Sequence, residues 1–125
     1  MEFSTLKAQL EAARSVDIEA FGAHFKVLLP TNYACRIAIE SNLDVRGRVV
    51  GGKSARAILD GAVTGWDGVK SSHFLPDAGD DPVAFSAAAL ADLLDMRLDI
   101  ADRLTSQIAD KLDERRQRME AARKN

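Results

Sequence analysis

The chain has 125 residues, 46% hydrophobic and 29% charged, with a formal net charge of −2. That length suits one domain, 1–125, and that balance excludes a wholly disordered polypeptide. Aromatics make up only 6%, so the core has to come from Leu, Ile, Val and Ala, a supply that suits packed helices. The single Cys35 excludes an intrachain disulfide and fits a reducing compartment.

Phe3, Leu6, Leu10 and Ala13 recur at three- and four-residue steps, which predicts a first helix over 3–14, with Ser4 or Thr5 as cap. Val16-Asp17-Ile18-Glu19 and His24-Phe25-Lys26-Val27 each alternate apolar and polar residues. With Ala20 to Ala23 between them and Gly22 free to take a positive φ, they read as a β-hairpin. Pro30 ends the second strand, and Thr31 or Asn32 caps a helix to about Ser41 whose inner face is Tyr33, Ala34, Ile37 and Ala38. Asn42 to Gly52 reads as a loop, and Ser54 as the N-cap of a short helix through Ile58, Leu59 and Val63. Gly65-Trp66-Asp67-Gly68 reads as a turn, followed by an irregular stretch to Asp81.

The last third carries the strongest periodicity. Ser86 is the expected N-cap, with Phe85 before it placed to staple onto Leu90. Leu90, Leu94, Leu98, Ala101, Leu104, Ile108 and Leu112 then form one stripe, and Leu93, Met96 and Ile100 a second. The apolar face shifts near Asp95–Arg97, where a bend is expected. From about 113 the helix is almost wholly polar and is expected to project from the body. Mainly α with a small N-terminal β-hairpin, an α+β fold with a compact helical domain and a long C-terminal helix, is the fold class these patterns predict.

Gly47-Arg48-Val49-Val50-Gly51-Gly52-Lys53-Ser54 matches the phosphate-cradling pattern G-x-x-x-x-G-K-[ST]. Its context is missing: Leu43-Asp44-Val45-Arg46 is too short and polar for a buried parallel strand, and no βαβ unit follows. His24 and His73 lack a second ligand at metal-binding spacing, and Asp77, Asp80 and Asp81 lack the EF-hand pattern. No metal, cofactor or catalytic residue is therefore assigned. Basic residues are dispersed except at Arg115-Arg116-Gln117-Arg118, where Asp110, Asp113, Glu114 and Glu120 stand among them. Nucleic acid is accordingly not an expected partner. Met1-Glu2-Phe3 opens no secretory signal and no apolar run reaches a membrane-spanning length, so an intracellular, membrane-free chain is expected. The residues singled out for protein binding are Leu93, Met96 and Ile100 on the second stripe, and Trp66, either a ring folded over the core or a partner-facing anchor.

Ile58-Leu59-Asp60-Gly61-Ala62-Val63-Thr64-Gly65-Trp66-Asp67-Gly68-Val69 and the later Pro82-Val83-Ala84-Phe85-Ser86 resemble the tail assembly chaperones of long-tailed bacteriophages and prophages. In that family an apolar helix ending in a V-x-G-W-x-G-V turn precedes a P-x-x-F-S helix start, and the resemblance spans about Ile58 to Leu112. It implies a non-catalytic protein of the bacterial host cytoplasm that coats the tape measure protein. It also implies recruitment of the tail tube protein through a frameshifted, extended form, and a homo-oligomer. Another small phage morphogenesis protein, such as a tail completion or head–tail joining factor, is the second reading, and a P-loop nucleotide-binding protein is a distant third.

Overall fold

A computed structural model describes residues 1–124. The elements run α1 (Phe3–Arg14), β1 (Ser15–Ala20), β2 (Ala23–Leu28), α2 (Asn32–Glu40) and α3 (Gly51–Ala62), then β3 (Val63–Asp67), α4 (Ser71–Phe74), α5 (Ala87–Met96) and α6 (Leu98–Lys124). The fold is mainly helical, with a small antiparallel sheet and a long C-terminal helix, as the sequence patterns predict.

The hairpin forms with a tighter turn than its Ala20–Ala23 linker suggests. Ala20 already pairs with Ala23, leaving Phe21 and Gly22 as a two-residue connection with φ of 52° and 77°. Two consecutive positive φ values match the twist of the flanking strands, which is why such turns are favoured. Phe21 is an unusual occupant, because a Cβ disfavours the left-handed region.

The sheet has three strands in the order β1-β2-β3 rather than two. Gly65-Trp66-Asp67, expected as part of a turn, belongs to β3, and the chain bends only at Gly68, with φ 79°. Pairing of Phe25 with Trp66 and Lys26 with Gly65 recruits the segment, and a register shift between Lys26 and Val27 marks a bulge. One sheet face carries Ile18, Ala20, Ala23, Phe25 and Val27 into the core. The other carries Asp17, Glu19, His24 and Lys26 to solvent, so period-2 alternation and burial agree.

Helices cover the apolar face. Leu59 and Ala62 of α3, Leu90, Leu93 and Leu94 of α5, and Ile100, Leu104 and Ile108 of α6 share one buried cluster with the sheet. Helix α3 begins at Gly51, and Ser54 is not its cap. That side chain is buried within the first turn and donates to the Val50 carbonyl at 3.2 Å, satisfying its hydroxyl internally. Arg56 crosses from α3 to α5, reaching Asp95 at 2.6 Å and the Ala91 carbonyl at 3.1 Å while also holding Asp60.

Thr31 caps α2 by accepting from the Ala34 amide, and Ser86 caps α5 by accepting from Ala89. The stretch before α5 is less irregular than expected, since α4 forms a single turn and Lys70 bridges to Pro82. The expected bend is a full break at Arg97, with φ −127° and ψ 84°. Its guanidinium grips Asp99 through two hydrogen bonds of 2.8 Å, donates to the His73 carbonyl at 3.2 Å and lies 5.5 Å from the Phe21 ring centroid. No helix among the described residues is long and apolar enough to cross a membrane.

Candidate protein-binding surface

Two helices at the start of the chain leave their apolar faces without a cover. Helix α1 buries none of its twelve residues. Its stripe is in the open, with Phe3 at 72%, Leu6 at 41% and Leu10 at 47% exposure. The helix is tied to the body at its end, where Arg14 Nε donates to the Leu29 carbonyl at 2.8 Å and the Leu29 amide donates to the Arg14 carbonyl. Helix α2 behaves similarly, because only Ala38 of its expected inner face is buried while Tyr33, Ala34 and Ile37 are exposed. Helix α2 does pack along α3 through Ala38, whereas α1 has no helix or sheet among the described residues packed along its apolar stripe.

The second stripe of the C-terminal region divides. Leu93 and Ile100 are fully buried core residues, whereas Met96 is 62% exposed. Within α5, three residues turn the helix through about 300°, which sets Met96 about 60° to one side of Leu93, whereas Ile100 reaches the core from α6, beyond the break at Arg97. Of the three, Met96 alone remains on the surface. Leu98, expected on the first stripe, is also exposed, at the break beside Arg97.

Trp66 is half-buried and anchors the interior. Its indole N–H donates to the Val83 carbonyl at 2.7 Å. Phe25, Phe74 and Phe85 meet its ring edge-on at 6.2, 6.4 and 5.0 Å between centroids. The two segments that carry the resemblance thus meet at Val83, whose carbonyl accepts from the Trp66 indole and whose amide donates to the Val69 carbonyl at 2.9 Å.

The phosphate-loop pattern has a different use. Its Gly47 takes a φ of 77° in a turn closed by Asp44. The Asp44 carboxylate accepts from the Arg48 and Arg46 amides and from Arg48 Nε, and these bonds, led by the Arg48 amide, hold its carboxyl below the usual range. Within the pattern the Arg48 amide is thus taken by this carboxylate, and the amides of Gly47, Val50 and Ser54 are taken by the backbone carbonyls of Asp44, Asn42 and Val50. The segment before it is an isolated antiparallel bridge, Leu43 to Val49, not a strand of a parallel sheet.

Both histidines are engaged structurally. His24 Nδ1 lies 3.0 Å from Asp17 Oδ2 across the hairpin. His73 accepts the Lys70 amide on Nδ1 at 3.0 Å and donates from Nε2 to the Phe21 carbonyl at 2.8 Å. Burial pushes the Cys35 thiol up, away from the thiolate that nucleophilic chemistry needs. No group of three or more His, Cys, Asp or Glu able to hold a metal occurs among the described residues.

Comparison with family models, curated proteins and solved structures returned no match. The surface itself is thus the ground for any functional reading. It offers unpaired apolar side chains on short helices, a surface composition suited to holding another polypeptide.

Proposed function

We propose that this chain is a non-catalytic tail assembly chaperone of a long-tailed bacteriophage or prophage. In this reading it binds the tape measure protein in the host cytoplasm, self-associates, and helps recruit tail tube subunits through an extended form. The observation that carries the reading is α1, a twelve-residue helix with an apolar stripe and no buried residue. A helix of that length is marginal in water when nothing packs against it. A client helix laid along Phe3, Leu6 and Leu10 supplies the missing contact, and several copies along one long client gain avidity from modest single contacts. The Ile58–Val69 and Pro82–Ser86 motifs support the choice of client, since they are the residues that resemble the family.

The test is co-expression with a tape measure protein from the same phage or prophage, followed by affinity capture and size-exclusion chromatography. Wild type is expected to yield a soluble complex. Leu6→Glu with Leu10→Glu is expected to keep its circular dichroism spectrum and urea midpoint while losing the complex. Failure of the wild-type chain to capture a verified, expressed tape measure protein overturns the proposal.

A further inference from the structure

Along its last four turns α6 leaves the core and faces a groove of about 650 Å³, whose opposite wall is the end of α1 and the Pro30–Asn32 corner between β2 and α2. The floor is apolar: Pro30, Ala109, Leu112 and Met119 line it. Met119 is the one large apolar residue of α6 beyond Leu112, and it is 48% exposed among charged neighbours. The walls are cationic. Arg14, Arg115, Arg116 and Arg123 stand against Asp113 and Glu120, a local excess of two positive charges on a chain whose net charge is −2. Asp113 is paired with Arg116 within the helix, whereas Arg14 and Arg115 form no ion pair among the described residues.

We infer that this groove docks an acidic amphipathic helix of another protein. From Ala109 to Arg123 the lining extends about 21 Å along α6, the length of a helix of roughly fourteen residues. An apolar stripe on the incoming helix fills the floor, where the unbranched Met119 adapts to its shape. Glu and Asp on its flanks meet the arginines, which can bind carboxylates through paired N–H groups. A nucleic acid fits less well, because phosphates gain nothing from an apolar floor and are repelled by Asp113 and Glu120. The inference is independent of the chaperone reading, since it concerns a different surface and is tested without the tape measure protein.

The probe is a fluorescein-labelled synthetic amphipathic peptide with Leu at the core-facing heptad positions and Glu at the remaining ones. It is titrated with the full chain and followed by fluorescence anisotropy. A matched peptide with Lys in place of Glu and a single-stranded DNA oligonucleotide are run alongside. Saturable binding of the Glu peptide alone is expected, weakening as salt rises. Arg115→Glu with Arg123→Glu is expected to weaken it about tenfold or more, because two attractions become repulsions. Met119→Ser, at an exposed position, is expected to weaken it several-fold, and it carries the same test should the charge-reversed variant lose its fold. Absence of saturable Glu-peptide binding, equal binding of the Lys peptide, unchanged affinity in both variants, or binding of the oligonucleotide in place of the peptide overturns the inference.

Discussion

Replacing Leu93 and Met96 separately tests how the C-terminal helices divide between core and surface. Leu93 is wholly buried in a cluster with Leu90, Leu94, Ile100 and Leu104, whereas Met96, three residues on, is 62% exposed. Truncating a fully buried leucine removes its transfer free energy and leaves a cavity that its neighbours fill only in part. Leu93→Ala is therefore expected to cost about 3 kcal/mol. Met96→Ala loses little buried area and keeps a good helix former, so it is expected to stay within about 0.5 kcal/mol of wild type. Urea unfolding for a domain of this size has a slope of roughly 1–3 kcal/mol/M, which turns the first change into a midpoint shift of about 1–3 M and the second into at most about 0.5 M. Trp66 fluorescence reports the transition, because unfolding strips the ring of Phe25, Phe74 and Phe85. Equal midpoints for the two variants, or a larger loss at Met96, would refute the assignment.

Trp66→Phe removes the donor to the Val83 carbonyl and part of the aromatic cluster, and is expected to lower stability by about 1–3 kcal/mol by calorimetry. Gly68→Ala places a Cβ 3.3 Å from the Gly22 carbonyl oxygen at a φ of 79°, so a loss of more than about 1 kcal/mol is expected in the same assay. Arg56→Lys gives up the fork that holds Asp60, Asp95 and the Ala91 carbonyl together, and is expected to cost about 1 kcal/mol with no rescue from the retained charge. Asp99 has its carboxyl pulled down by the hydrogen bond from Arg97. A lowered folded-state value contributes stability above the unfolded carboxylate range and loses it as pH falls through the folded one. Asp99→Asn is therefore expected to flatten the acid limb of a stability–pH curve below pH 3.8, the ordinary aspartate value, and an unchanged limb would count against the Arg97–Asp99 contact.

Local patterns that a residue reads from its near neighbours were legible in the sequence. The hairpin showed because Val16–Glu19 and His24–Val27 alternate with the period of a pleated strand. The caps at Thr31 and Ser86 showed because short hydroxyl side chains precede apolar helices. Strand β3 did not show, since glycines on either side of Trp66 mimic a turn and the pairing that makes it a strand comes from residues about forty positions earlier. The same limit applies to the surface. Periodicity identified α1 and α2 as amphipathic helices, but which apolar faces find a neighbour depends on where the sheet and α6 stand. Leu93 and Ile100 were drawn inward and Met96 was left outside by helix phase together with the break at Arg97, a combination no single window displays.

That break is held by neither proline nor glycine. Arg97 keeps the chain from continuing as one rod of nearly forty residues, and it does so with side-chain contacts to Asp99, His73 and Phe21 from three separate parts of the polypeptide. The angle between the two final helices is thereby wired to the tip of the hairpin and to α4. Disturbance at either place reaches the orientation of α6, and with it the width of the cleft at the far end, so remote substitutions around Phe21 and His73 are where long-range control of the molecule's grip should be sought.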